Sequence, residues 1–368
     1  MIAKRNRLKG FYMLSTMNRS IFTQLFAFSL LCLGLLSFIG CEPAQQHSVD
    51  PNMLAAPQTD QIAVEVQPEP PVNQREQAVS LYVDAMMLND LNEREEAIRK
   101  LNDALELDPS FAMAYSLKGD ILQGLEKYED SADAYEQATL HDPFSFKDFF
   151  NLGKVCRIIQ QWARAAKAYA SACQLDPQHY ESHLGAAVSF YELKEYDNSL
   201  TYAQKAKELD PAAADPEMLL GDLFEAQQDH VQAINAYRRA LELEGNNSDV
   251  MISLARAYLR AGRYSSAKEL LNDVIATDPT NSMAHQYLGF AQLRLKEVDE
   301  AVESYLMAVR VDENDWMARK GLGVAYMLQS MQSPRDERLE ALAVEQWNIS
   351  LQIKPDQPKL KQLVQRYQ

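Results

Sequence analysis

Residues 131–143 read SADAYEQATLHDP, residues 165–177 read AAKAYASACQLDP, and residues 199–211 read SLTYAQKAKELDP. The three stretches start 34 residues apart, and each closes on a proline. Within them a small residue is followed four and seven positions on by a large or small one and a small one, as in Ala165, Tyr169 and Ala172. Spacings of four and three put those side chains on one helix face, and the proline ends the helix because it lacks the amide donor. The beat continues on both sides. It gives Ala97, Leu101, Ala104 and Pro109 before, and Ala233, Tyr237, Ala240 and Gly245 after. Two more sets follow, Ala267, Leu271, Val274, Pro279 and Ala301, Tyr305, Ala308, Glu313. Twelve residues ahead of each set stands another small residue: Ala85, Gly119, Gly153, Ala187, Gly221, Ala255 and Gly289. Paired small sites let two helices approach closely, so each period predicts a helix hairpin. A fixed period held over seven units is the mark of stacked repeats rather than of a globular enzyme.

Gly245 and Glu313 stand where a proline is missing, keep the register, and read as substitutions. An eighth unit opens at Trp316 with Leu322, Gly323 and Tyr326, but its second half (Ala343, Trp347, Ser350, Pro355) comes eight residues late. Ser333 as cap, Pro334 at the first helical position and Asp336 in the first turn are expected to start that late helix. Leu360, Leu363, Val364 and Tyr367 predict a last amphipathic helix covering the open end. The expected divisions are seven repeats over 75–315, an eighth with an insertion over 316–355, and a capping helix over 356–368.

Small residues at positions 8, 20 and 27, an aromatic at 24 and proline at 32 make this pattern resemble the tetratricopeptide repeat. The resemblance implies an all-α fold, a superhelical solenoid of antiparallel helix hairpins. It also implies a concave surface that binds segments of partner proteins through first-helix positions 2, 5, 9, 12 and 13. Carried onto this chain, those positions include Tyr82, Met86, Lys147, Phe150, Lys154, Arg157, Tyr191, Arg256, Arg260, Met283, Phe290, Arg294 and Lys320. Tyr135 and Tyr169 fall in the core. About half of the first-helix positions read equally well as interhelical packing. Some members of the family clamp a terminal carboxylate with lysines and asparagines. Here Lys147, Asn151 and Lys154 fit that pattern, but Met113, Leu117 and Asp120 in the repeat before do not. Arg256, Arg260, Arg294 and Lys320 form a second basic strip suited to acidic groups, with paired surface charge as the alternative.

The first forty residues contain five Lys and Arg, no acid, and an uncharged run from Ile21 to Gly40. This reads as a signal peptide over 1–40, although the run is also just long enough for an uncleaved anchor. Phe38-Ile39-Gly40-Cys41 resembles the bacterial lipobox, matching at Gly40 and Cys41 and departing at Phe38. That resemblance implies lipidation of Cys41. Glu42 after it implies the outer membrane of a Gram-negative cell envelope, facing the periplasm. The long segment before Met17 makes Met13 or Met17 alternative starts. Residues 41–74, rich in Pro and Gln, read as a disordered tether.

Beyond the leader, 31 Lys and Arg face 52 Asp and Glu, a formal charge of −21 that argues against nucleic acid as a partner. The sequence has no glycine-rich phosphate loop, no serine elbow and no paired metal-ligand motif, so no catalytic residue, metal or cofactor is expected. His179 and His183 lack companion ligands. Cys156 and Cys173 fit no metal spacing and are expected as buried free thiols, with a disulfide as the alternative. The chain thus reads as a lipid-anchored, non-enzymatic scaffold for protein segments, possible self-association of the groove being the second reading.

Overall fold

A computed structural model describes residues 71–332 and 336–367. The leader, Cys41, most of the tether, Ser333 and Pro334 lie outside them. Among the described residues there are seventeen helices and no strand. They are α1 (Val72–Asp90), α2 (Arg94–Leu107), α3 (Ala112–Gly124), α4 (Tyr128–His141), α5 (Phe146–Ile158) and α6 (Trp162–Leu175). Next come α7 (Tyr180–Glu192), α8 (Tyr196–Leu209), α9 (Asp215–Ala226), α10 (His230–Glu244), α11 (Ser248–Arg260) and α12 (Tyr264–Thr277). The chain ends with α13 (Ser282–Leu295), α14 (Val298–Val311), α15 (Trp316–Gln332), α16 (Glu337–Ile353) and α17 (Pro358–Tyr367). None of these helices is long and apolar enough to cross a membrane.

Each odd helix pairs with the even one that follows it, and each hairpin stacks on the next. Odd helices of successive hairpins also touch, as α5 does α7 and α13 does α15. No even pair does so to the same extent among the described residues, so the odd helices form the inner side of the stack.

The close approach within a hairpin rests on a size match. Where the first small site is glycine, an aromatic ring of the second helix lies against it: Gly119 with Tyr135, Gly153 with Tyr169, Gly221 with Tyr237, Gly289 with Tyr305, and Gly323 with Trp347. Where that site is alanine, its partner is Leu101, Ala203 or Leu271. Ser131 and Ser199 replace alanine in the second helix without leaving an orphan, because each buried hydroxyl donates to a carbonyl of the first helix, Gly119 at 2.8 Å and Ala187 at 2.7 Å.

Two kinds of turn join the helices. Inside the hairpins, Asn92, Glu126, Gln160, Lys194, Gln228, Gly262 and Lys296 all have positive φ, at strict 34-residue spacing. The following amide closes the turn by donating back to the helix, Gln161 N to Cys156 O at 2.8 Å for example, which satisfies a carbonyl left over at the helix end. Between hairpins, Asp108, Asp142, Asp176, Asp210, Asp278 and Asp312 each accept from the amide two residues on, over 2.9–3.1 Å. This Asx turn survives at Glu313, which is a plain substitution, but not at Gly245. There Glu244 replaces the aspartate, α10 runs on to Glu244, and Gly245 takes φ +78°. Its turn is rebuilt rather than substituted.

Asp336 caps α16 rather than standing inside its first turn, its side chain accepting from the Arg338 amide at 2.9 Å. α17 closes the stack by burying Leu360 and Val364 against Trp347 and Met327. Cys156 and Cys173 are buried free thiols, pushed up by burial to about 11 and about 12.

Candidate functional site

Two of the cavities on the odd-helix side share one design. The first, about 750 Å³, lies between α5, α7 and α9. Phe150, Leu184, Val188, Tyr191 and Met218 give it apolar walls, and Lys154, Arg157, Glu181 and Asp222 supply charge. Its floor is Tyr169, a core residue whose ring reaches through to the cavity. Gly185 permits this, since a Cβ there would sit 2.5 Å from Cζ of the ring. The second cavity, about 440 Å³, lies between α11, α13 and α15 and repeats the device with Tyr305 and Gly321. Phe290, 41% exposed, and Met317, 42% exposed, stand in its wall beside Leu293 and Val324. Exposed methionine and aromatic side chains clustered in a concave surface adapt well to an irregular apolar partner.

Of the residues expected on the binding face, Phe150, Lys154, Arg157 and Tyr191 meet in the first cavity. Arg256, Arg260, Phe290 and Lys320 meet in the second. Tyr82, Met86, Lys147, Met283 and Arg294 line neither. Tyr82 packs on Phe111 with ring centroids 5.2 Å apart, and Arg294 lies over Tyr264 at 4.9 Å from the ring centre. Met86 and Met283 are exposed on their helices.

Several of the expected basic contacts are already engaged within the array. Lys147 pairs with Asp120 at 2.5 Å, and the same carboxylate accepts the Tyr135 hydroxyl at 2.6 Å. Arg256 stands 3.6 Å from Asp222, which accepts the Tyr237 hydroxyl at 2.6 Å. Burial holds the Asp222 carboxyl above the usual carboxylate range in spite of those partners. Arg260 reaches the buried Glu225 at 2.7 Å, where His230 also binds at 2.8 Å. The strip expected over Arg256, Arg260, Arg294 and Lys320 is therefore not one open basic surface: two members are paired, and the other two lie over aromatic rings, Arg294 over Tyr264 and Lys320 over Trp316. Lys154 lies 5.5 Å from the centre of the Phe150 ring, so it holds the apolar wall and a positive charge together.

His179 and His183 serve the fold. His179 Nδ1 accepts from the Ser182 amide at 3.2 Å at the start of α7, and its ring meets Phe146 and Phe150 edge-on. His183 is buried, with Nε2 3.2 Å from the Pro177 carbonyl, and burial lowers its pKa.

Sequence reasoning placed Tyr169 in the core alone, gave Tyr305 only its position in the repeat, and assigned Gly185 and Gly321 no part in the binding face. The signal lay in the pairing of a second-helix tyrosine with a glycine sixteen residues later, in the first helix of the next hairpin.

Among known proteins, residues of this chain are 28% identical over 124 positions to BBSome complex member bbs-4 of Caenorhabditis elegans, covering 34% of this chain and 27% of that protein. They are 30% identical over 105 positions to small glutamine-rich tetratricopeptide repeat-containing protein 2 of Mycosarcoma maydis, covering 28% of this chain and 30% of that protein. The chain thus spans less than a third of either relative. Of the solved structures, the APC/C hetero-tetramer Cut9-Hcn1 shares the fold at a TM-score of 0.51 and 16% identity, over 74% of this chain and 52% of that one. The family model described as the cilia and flagella-associated protein 70 C-terminal domain matches residues 110–322. That is more than half of the 368 residues, and the chain belongs to this family of tetratricopeptide-repeat proteins.

Proposed function

We propose that the array is a non-catalytic scaffold that holds extended or helical segments of partner proteins along its odd-helix side. The observation that carries this is the apolar, aromatic lining of the two cavities, each floored by a tyrosine that the next hairpin's glycine leaves uncovered. Phe150→Asp with Phe290→Asp places a charge in both walls, so capture of native partners in a pull-down should be lost while the far-UV circular dichroism stays helical. Undiminished capture would refute the groove.

The lipobox-like Phe38-Ile39-Gly40-Cys41 supports attachment through a lipid on Cys41, with the tether expected over 41–74 as spacer up to the start of α1 at Val72. In this reading the scaffold works at the cell envelope of a Gram-negative bacterium, on the periplasmic face of the outer membrane, in the assembly of an envelope complex. Cys41→Ala should move the protein from the membrane to the soluble fraction; retention in the membrane fraction argues for an uncleaved anchor.

A second reading, self-assembly, draws on α1. No hairpin precedes it among the described residues, and Val72, Val79 and Val83 stand 75%, 46% and 42% exposed along its outer side. Light scattering over a concentration series on protein lacking residues 1–40 separates the two. Obligate oligomers of wild-type protein that dissociate on Val79→Asp with Val83→Asp favour self-assembly.

A further inference from the structure

A third cavity, about 430 Å³, lies between α15, the loop after α16, and α17, and borders the second cavity at Lys320 and Val324. Trp316 forms one wall, with Lys320 Nζ 5.2 Å and Lys354 Nζ 4.2 Å from its ring. Val324, Leu360 and Leu363 make the cavity apolar, Lys359 stands at its rim, and Asp356 is the single acid in the lining. None of the three lysines is paired with a carboxylate among the described residues. The tryptophan face accounts for the placing of two of them: its negative quadrupole attracts ammonium groups while leaving their donors open.

The charge around the cavity is opposite to that of the rest of the chain. Residues 316–368 carry eight Lys and Arg against five Asp and Glu, whereas residues 41–315 carry 23 against 47. Three unpaired lysines around an apolar cleft repel one another, and a ligand that supplies carboxylates beside an apolar side chain relieves that repulsion and fills the cleft. This differs from a clamp on successive first helices, because two of the lysines come from the loop after α16 and the start of α17.

We propose that the second and third cavities together dock an acidic, apolar segment of a partner protein. A large apolar side chain lies against Trp316 and Leu360, and flanking Asp or Glu side chains meet Lys320, Lys354 and Lys359. The assignment rests on the reading of the odd-helix side as a binding groove and specifies the chemistry of what binds there.

The test is fluorescence anisotropy of the full chain with a labelled, terminally blocked peptide in which glutamate alternates with leucine and phenylalanine, and with its lysine-for-glutamate counterpart. The glutamate peptide should bind, more weakly as salt rises, and the lysine peptide should not. Lys320→Gln with Lys354→Gln should weaken binding about tenfold with the circular dichroism unchanged, the combined effect of two exposed charge pairs. Because a neutral side chain of similar length replaces each lysine, the fold is kept. Equal binding of both peptides, or unaltered affinity of the double variant, overturns the assignment. So does self-association of the wild-type chain that the double variant abolishes, since the occupant is then a second copy. If native partners are still captured in a Phe150-dependent way but the acidic peptide does not bind, this assignment fails while the groove stands. Failure of the groove itself shows instead as undiminished capture by the Phe150→Asp, Phe290→Asp protein.

Discussion

A Cβ on Gly289 would stand 2.9 Å from Cδ2 of the buried Tyr305 ring, closer than carbon atoms approach without one of them moving. The ring cannot yield easily, being held from the other side by Gly321 of the next hairpin. Alanine gains about 1 kcal/mol of helix propensity over glycine, and overpacking costs about 1–3 kcal/mol. Gly289→Ala should therefore lower stability by about 1 kcal/mol in urea unfolding. The alanine–leucine combination occurs naturally at Ala85 with Leu101 and at Ala255 with Leu271. Tyr305→Leu should consequently cost less in the Gly289→Ala background than in the wild type, a coupling that a double-mutant cycle reads directly. Strict additivity would refute the size match. The small-residue positions were legible from the 34-residue beat alone. What the beat did not disclose is that glycine and alanine there choose between an aromatic and a smaller partner, nor that Tyr169 and Tyr305 reach past the core to floor a groove, because both facts depend on contacts between hairpins.

At the level of the helix hairpin, the periodicity implied one turn inside each of the seven units, but not the residue that makes it. Seven positions take positive φ, yet they are Asn92, Glu126, Gln160, Lys194, Gln228, Gly262 and Lys296, with no shared chemistry for composition to reveal. A side chain in the left-handed region costs about 1–2 kcal/mol, partly offset by the greater unfolded-state entropy of glycine, about 0.4–1 kcal/mol. Gln160→Gly should therefore raise stability by about 0.5–1 kcal/mol, and Gly262→Ala should lower it by a similar amount. Opposite shifts in the urea midpoint check both at once; shifts of the same sign would show that the turn conformation is not what governs them. Gly245 shows the limit of reading by register. The spacing across it is preserved, but without an aspartate before it the Asx turn has no acceptor, and the chain turns through a glycine at φ +78° instead.

Across the whole array, each hairpin buries its apolar face mainly against its neighbours, so stability is transmitted by adjacency rather than through one shared core. The two ends differ. α17 covers the last hairpin with Leu360 and Val364 and turns Lys359, Lys361 and Arg366 outward, whereas the outer side of α1 keeps Val72, Val79 and Val83 exposed. Full burial of each such aliphatic side chain is worth about 1.5–3 kcal/mol. Ending the chain after Pro355 removes two of them from the packing around Trp347 and Met327, and also removes Gln357, whose side-chain amide donates to the Ser350 carbonyl at 3.1 Å. The loss should fall on α15 and α16 first and fade with distance along the stack. Amide hydrogen exchange of the truncated protein should thus quicken most in residues 316–353, less in α13 and α14, and remain unchanged from α2 to α6. Uniform quickening over all hairpins would mean that the array unfolds as one cooperative body and that nearest-neighbour coupling is the wrong description of what holds it together.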